Sequence, residues 1–465
     1  MDATVLSWCK RLIASRSVTS EGTRAIAAMC ASELLAPLGI EARLIPSAHE
    51  GPAQVNLLAT VKGFDRAAPP IVLNTHLDTV PPGDHASWSE CGGDPFAATV
   101  RGDRIYGLGA ADTKLDFVAK VMALAACGTP RRDVYLVGTF GEEHGLVGAK
   151  EIAAAGILPA GALAFVGEPS HLEVITAHKG LMVFELNVSF KPRRFDHPCA
   201  ATRIVFEGRA AHSSTPALGR NAICSALAAL VAHPPRVVVS IAGGDAVNRV
   251  PARCEAVIAN DPSHSEMIID ESAIDVKGEI PAAPRHYIPP QAIAALAQFA
   301  AALQEFADRA GTPEPGYAAP TLTCNPGVIR SADDSVTLEF ELRPPSALGL
   351  DVVRAGVAKI VARLAQDAPR LEIGLIERRA NPGFRSSFEG ETVELAMAAL
   401  ARAGLRLESG VKAGCTEAGV YAAARLRPVV VGPGPSTGVI HAPNEYNLLT
   451  EVDGAIRFYR ELLQL

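Results

Sequence analysis

The sequence predicts an α/β fold: a mixed, mostly parallel sheet flanked by helices, into which a separate α+β unit is inserted. Three observations carry this expectation. Short, near-continuous apolar runs alternate with helical segments up to about Gly180, the pattern of a parallel sheet buried on both faces. Beyond Gly180 extended runs predominate, and from Leu350 to the end helix and strand alternate again. The 465 residues are about three times a domain of ~150 residues, so two or three domains are expected. The division read from these changes is a first domain in two parts, 1–180 and 346–465, with 181–345 inserted.

Each element follows from its local pattern. Across 5–39 apolar residues recur at helical spacing, Ala25, Ile26, Met29 and Leu34 forming one set, and Gly39 supplies a stop signal, so two helices open the chain. Strand-like runs follow at 71–74, 134–140 and 162–166, with helical segments at 112–127 and 145–155 between them. In the insert, extended runs at 182–190, 202–207, 236–241 and 252–259 surround a helix at 221–233, and a further helical stretch at 290–309 is flanked by Pro- and Gly-rich segments. A last run at 335–343 is broken by Pro344 and Pro345.

Composition narrows the function. With 48% hydrophobic and 20% charged residues the chain can bury a large core. A net charge of -7 offers no basic field for phosphates, which argues against nucleic acid or an anionic membrane as partner and favours a small molecule. Nine scattered cysteines (Cys9, Cys30, Cys91, Cys127, Cys199, Cys224, Cys254, Cys324, Cys415) include no C-x-x-C pair and read as reduced thiols. The first residues lack the apolar core of a signal peptide, and no run approaches the ~18 apolar residues of a membrane span. A soluble, cytoplasmic chain is expected.

The chemistry lies where strands and loops end. The run at 71–76 closes on His76-x-Asp78, and alternation puts both side chains on one face, where a carboxylate can orient the imidazole. A lone histidine at a strand end is more often structural, but this one has companions. Asp112 ends a glycine-rich loop before a helix, Glu142 and Glu143 follow the run at 134–140, and Glu168 follows the run at 162–166. In an open α/β sheet such positions converge on one crevice. Carboxylates gathered this closely repel unless a cation compensates. His441 adds a second imidazole, and two histidines with three carboxylates suit a pair of zinc-like ions sharing one carboxylate. Gly107-x-Gly109 does not make a dinucleotide loop, because Asp112 stands where the third glycine belongs.

Six motifs in order, NTHLDTVP (74–81), DPF with GLGAADTK (94–96, 107–114), TFGEEHG (139–145), VGEPS (166–170), GRAAHSSTPALGRNAI (208–223) and GPGPSTGVIHAPNE (432–445), resemble those of the dinuclear zinc aminoacylase and carboxypeptidase family. That family includes acetylornithine deacetylase, succinyl-diaminopimelate desuccinylase, glutamate carboxypeptidase and several dipeptidases. The resemblance covers nearly the whole chain. It implies a zinc-peptidase-like catalytic domain and an inserted lid that commonly mediates a homodimer. It makes His76, Asp112 and Glu168 ligands of one zinc, and Asp112, Glu143 and His441 ligands of the other, with cobalt or manganese as alternative metals. It also implies that Asp78 orients His76, and that Glu142 takes a proton from a metal-bridging water, which attacks the amide carbonyl, and returns it to the leaving nitrogen. His212 would help hold the oxyanion, often in the neighbouring subunit's site. Asn248 and Arg343 resemble lid residues that bind substrate carbonyl or carboxylate, and the loops at 414–416 and 432–434, with Gly414 and Thr416, resemble those lining the pocket.

The sequence departs from the family at several points. Thr113-Lys114-Leu115-Asp116 replaces the usual Met-Lys-Gly-Gly, adding bulk and a charge at the start of the following helix, so a different pocket shape is an expectation. Glu417 stands where many relatives have aspartate, Cys415 beside it reads as a packing residue, and the lid is lengthened around 263–319. The function expected is metal-dependent hydrolysis of an amide C–N bond, in first place deacylation of an N-acyl amino acid. A dipeptidase or carboxypeptidase, an aminohydrolase acting on an unusual amine, and a non-catalytic binding protein on the same scaffold stay open as alternatives.

Overall fold

The computed structural model describes residues 1–195, 200–232, 237–259, 274–279, 286–387 and 389–465, with 274–279 given by its backbone alone. Cys199, the ends of the expected elements at His233 and Arg236, and much of 263–285 lie outside these residues. The chain divides into two compact units, Met1–His178 with Gly383–Leu465, and Lys179–Pro382.

The first unit is built on a nine-stranded sheet. Its centre is parallel: Ile71–His76 lies between Val134–Thr139 and Leu163–Gly167, and Arg427–Val430 continues beyond the latter. The margins are antiparallel, with Ala42–Pro46 and Val55–Val61 on one side and Val174–His178 with Phe384–Arg385 on the other. Ser409–Lys412 returns to pair in parallel with Val174–His178. The mostly parallel expectation therefore holds for the centre of the sheet, where strands are buried along their whole length because helices cover both faces. Helices Ala3–Ala14, Lys114–Cys127, Glu391–Arg402 and Leu449–Gln464 pack on one face, and Val147–Ala154 with Ala418–Ala423 on the other. Asp2 caps the first helix by accepting from the Thr4 amide at 2.8 Å. The second opening helix, Arg24–Met29, tightens through Ala36–Leu38 and stops at Gly39 in the left-handed conformation.

The second unit is an eight-stranded antiparallel sheet ordered Ile274–Glu279, Ala201–Glu207, Arg253–Ala259, Val238–Gly243, Thr323–Ser331, Ser335–Arg343, Leu181–Ser189 and Glu372–Asn381. Helices Ala222–Val231, Pro290–Arg309 and Leu350–Asp367 cover one face. The insert thus ends at Pro382 and not at 345. Helix and strand alternate after Leu350 as expected, but Glu372–Asn381 pairs with Leu181–Ser189, and Val353, Val357 and Leu364 join the core of the insert. Periodicity identifies an element; only its pairing partner says which sheet it joins.

Candidate metal centre

The parallel centre of the first sheet brings three strand ends that lead to acidic or imidazole residues to one edge. Register pairs His76 with Thr139 and Thr75 with Gly167, so the strand ends leading to His76, to Glu142 and Glu143, and to Glu168 lie side by side. Asp112 arrives just before helix Lys114–Cys127, which begins two residues later than the sequence pattern suggests. His441 is delivered by a small sheet in which Tyr446–Leu448 pairs with Arg104–Tyr106. Glu445 completes this junction, its buried carboxylate accepting from the amides of Ala111 at 2.8 Å and Asp112 at 3.0 Å.

Two groups of potential ligands result, His76 with Asp112 and Glu168, and Asp112 with Glu143 and His441, the donor atoms within each group lying within 4.8 Å of one another. Asp112 is common to both. Its Oδ1 is 3.1 Å from His76 Nε2 and its Oδ2 is 3.2 Å from His441 Nε2, while His441 Nε2 is 3.1 Å from a Glu143 oxygen. Two imidazoles and three carboxylates, one of them facing both ways, are a donor set suited to two ions of the zinc type. The buried Oε1 of Glu168 meets no hydrogen-bond donor among the described residues, which a cation in the first group would remedy.

The electrostatics point the same way. Burial, with the nearby Glu168 charge, holds the Glu142 carboxyl well above the usual range. Burial pushes Glu168 up to about 7, Lys412 opposing it, and raises Glu143 against its bond to His441. Burial also works against ionisation of Asp112, but its bonds to His441 and His76 outweigh it and hold the carboxyl far below the ordinary value. Three carboxyls strained toward protonation around one ionised aspartate are a site short of positive charge.

Asp78 lies beside His76 and has further partners. His76 Nδ1 is 3.0 Å from the Asp78 backbone carbonyl and 3.6 Å from its carboxylate, so the carbonyl makes the shorter contact. The carboxylate accepts from Thr19 Oγ1 at 2.8 Å and from the amides of Glu142 and Glu143 at 3.2 and 3.4 Å. Asp78 therefore ties the turn bearing both glutamates to the strand bearing His76. Asp116 lies in the first turn of helix Lys114–Cys127. Its side chain is fully buried in an ion pair with Lys120, so its bulk and charge enter the interior, where a Cβ on Gly167 would collide with the carboxylate. Thr416 is buried, its amide donating to His178 Nε2 at 3.1 Å. Gly414 lies two residues before it, and Cys415 packs at the edge of an apolar cluster. Glu417 is buried, accepts from Thr139 Oγ1 at 2.9 Å and is pushed up to about 7 by burial.

The other three expected residues belong to the second unit, where Ser213 links them. Its amide donates to the Asn248 carbonyl at 3.1 Å and its hydroxyl to Glu341 Oε1 at 2.6 Å, the same oxygen that accepts from Arg343 Nε at 2.5 Å. His212 Nδ1 accepts from the Ser214 amide at 3.1 Å, which leaves Nε2 to carry the proton of the neutral ring. Partial burial, then the Arg343 charge, hold His212 below the ordinary histidine range. Glu445, Ser213 and Glu341 have no assigned role in the sequence reading. The first two lie inside the quoted motifs, whereas Glu341 is signalled only by being a carboxylate two residues before an arginine on a strand.

Comparison with known proteins agrees with this geometry. The model of peptidase family M20/M25/M40 matches residues 72–465. Over 243 residues the chain is 33% identical to acetylornithine deacetylase from Photorhabdus laumondii subsp. laumondii, a match covering 48% of this chain and 56% of that protein. It thus spans little more than half the length of that relative. The fold resembles that of aminoacylhistidine dipeptidase from Vibrio alginolyticus, with a TM-score of 0.70 and 17% identity over 99% of this chain and 96% of that one. It also resembles the Bacillus subtilis YXEP protein, described as a dinuclear metal binding peptidase from the M20 family, with a TM-score of 0.55 and 12% identity over 99% and 97% of the two chains. At such identities the likeness concerns the fold. The family match over most of the chain, falling on the strands and loops that assemble the two ligand groups, makes this chain a member of peptidase family M20/M25/M40.

Proposed function

We propose that the chain hydrolyses the amide bond of an N-acyl amino acid, releasing the acyl group as a carboxylic acid and the amino acid as a free amine. The observation that carries this is Asp112, whose two oxygens face two different histidines, each group completed by a further carboxylate, with Glu142 beside them. In this reading His76, Asp112 and Glu168 hold one divalent ion and Asp112, Glu143 and His441 the other, zinc first and cobalt or manganese as alternatives. Bound there, the two ions supply Lewis acidity at the carbonyl and make water acidic enough to attack.

The protein's own groups do the rest. Glu142 accepts the proton of the attacking water at its carboxylate and delivers it to the amide nitrogen as the C–N bond breaks. Asp78 fixes the turn that carries this base, so Glu142 and Glu143 keep their separate tasks. His212, with Nε2 protonated, is the donor for the oxyanion, Asn248 binds a substrate carbonyl, and Arg343 binds a substrate carboxylate as a guanidinium fork does best. Gly414 and Thr416 line the pocket. We include a homodimer formed through the inserted unit in the same reading, to be tested by sedimentation. Among the described residues no helix is long and apolar enough to cross a membrane.

The test is release of free amine from a panel of N-acetyl, N-succinyl and N-formyl amino acids together with dipeptides, using zinc-loaded protein and a chelated control. Chelator-sensitive release from the N-acyl amino acids supports the proposal. Release from dipeptides alone replaces it with a peptidase. Silence across the panel with two metals bound overturns it.

A further inference from the structure

The loop that ends at Asp112 has little of its own to hold it in shape. No strand or helix lies between Arg104–Tyr106 and Lys114–Cys127, and Gly109 within it takes a left-handed backbone, φ +82°, a freedom that costs conformational entropy to fix. Yet Asp112 faces two imidazoles in two directions, its Oδ1 3.1 Å from His76 and its Oδ2 3.2 Å from His441. A carboxylate with both oxygens committed has no rotation to spare, so the backbone beneath it must be set from outside the loop.

The segment 445–447 supplies that support. Glu445, 1% exposed, accepts the amides of Ala111 and Asp112 at a single oxygen, Oε1, at 2.8 and 3.0 Å. Two successive amides point at one oxygen where the chain curls round it, the cradle that backbone N–H groups make for an anion. That curl fixes the backbone from which the Asp112 side chain springs. Two more bonds come from the same segment: the Glu445 carbonyl accepts from the Gly107 amide at 3.0 Å, and Asn447 Nδ2 donates to the Ala110 carbonyl at 2.9 Å. Glu445 also follows His441 by four residues, so one side chain joins the loop of the shared ligand to the segment of the second imidazole.

We propose that Glu445 is a positioning residue for the metal pair: as a hydrogen-bond acceptor, and not through its charge, it sets the Asp112 carboxylate between His76 and His441, so that both ions depend on a residue that belongs to neither ligand group. This rests on the two-ion part of the reading above. A charge is not what the two amides require, since a neutral amide oxygen in the same place accepts them too. The consequence is that a change at 445 is felt at both groups, whereas a change at His441 or Glu168 is felt at one.

The experiment challenges zinc-loaded wild type, Glu445→Gln and Glu445→Asp with increasing chelator, reads the zinc retained by elemental analysis to give the Kd of each ion, and follows unfolding of the metal-free proteins by circular dichroism. Glu445→Gln keeps the length and an oxygen acceptor without the charge; Glu445→Asp keeps the charge one methylene short of the amides. In Glu445→Asp the Kd of both ions is expected to rise about 10–100-fold, the usual cost of disturbing a partner that orients a metal ligand. Glu445→Gln is expected to hold both within about threefold of wild type, because its side-chain oxygen accepts the same amides. The reverse order, with Glu445→Gln losing the ions and Glu445→Asp keeping them, makes the charge the agent and overturns the proposal. So does a loss confined to one ion, or a lowered Tm of metal-free Glu445→Asp with both Kd values unchanged, the mark of a structural role alone. If Glu445→Asp does not fold, Glu445→Gln decides, since it must hold two ions as wild type does. A wild type that binds two ions and hydrolyses no N-acyl amino acid overturns the substrate reading and leaves this one standing; a wild type that takes up no zinc overturns both.

Discussion

Lys120 and Asp116 stand one helical turn apart, both fully buried and 2.6 Å from each other. Lys120 Nζ also donates to the Asn74 carbonyl at 2.5 Å, to Thr75 Oγ1 at 2.9 Å and to the Phe165 carbonyl at 3.3 Å. Asp116 accepts from Thr75 Oγ1 and from the Tyr459 hydroxyl, each at 2.6 Å. The ammonium therefore ties together the strands that end at His76 and at Glu168. Lys120→Met removes it and strands a carboxylate in the interior, with two hydroxyl donors and no cation. Breaking a buried pair from one side costs about 3–5 kcal/mol. Lys120→Met combined with Asp116→Asn removes both charges, and is expected to recover about 2 kcal/mol or more of that loss, a coupling within the range for contacting residues. Urea unfolding followed by tryptophan fluorescence reads the correct unit, since both tryptophans, Trp8 and Trp88, lie in it. A loss below about 1 kcal/mol for Lys120→Met, against the 3–5 expected of a broken buried pair, or no recovery on adding Asp116→Asn, would refute the reasoning.

Three further outcomes follow from the site. Glu142→Gln should lower kcat by about 10²–10⁴-fold, the usual worth of a general acid–base, while two metal equivalents remain after dialysis; metal loss with the activity would move Glu142 into the ligand set. His441→Ala should cost one metal equivalent and Asp112→Asn both, because only Asp112 is common to the two groups, and elemental analysis of dialysed protein decides it. The inserted unit should lose stability as pH falls below about 6.5, the ordinary histidine value, because His212 is held lower than that in the folded state and the unfolded chain takes the proton first. Urea midpoints by circular dichroism at pH 7.5 and 5.5 should show a smaller drop in His212→Gln than in wild type, and an equal drop removes His212 from the effect.

Much of the candidate centre was legible because each ligand sits at a local junction. His76, Glu143 and Glu168 close strands whose apolar runs stand out in the sequence, and parallel neighbours in one sheet bring such ends together with no further information. Asp112 was legible as the end of a glycine-rich loop before a helix and His441 as a second imidazole near the C-terminus, but what brings them together is non-local, the pairing of Tyr446–Leu448 with Arg104–Tyr106. Asp78 was found beside His76, but its bonds to the backbone amides of Glu142 and Glu143 were not, because alternation puts its side chain on the face of His76 and says nothing of the neighbouring turn.

The sequence by itself determined the elements, their α/β and α+β character, the existence of the insert, and the residue types offered to a metal, because periodicity, strand ends and short motifs are local properties. Tertiary structure alone decided what is non-local. It assigned Leu350–Asp367 and Glu372–Asn381 to the insert through a strand pairing and a shared core, turned Asp116 inward to Lys120 beside a glycine that leaves room for it, and set Glu341 beneath both Arg343 and Ser213. In each case a polar or amphipathic segment had more than one face or partner open to it, and the choice fell to the arrangement in which buried hydrogen-bonding groups find one another.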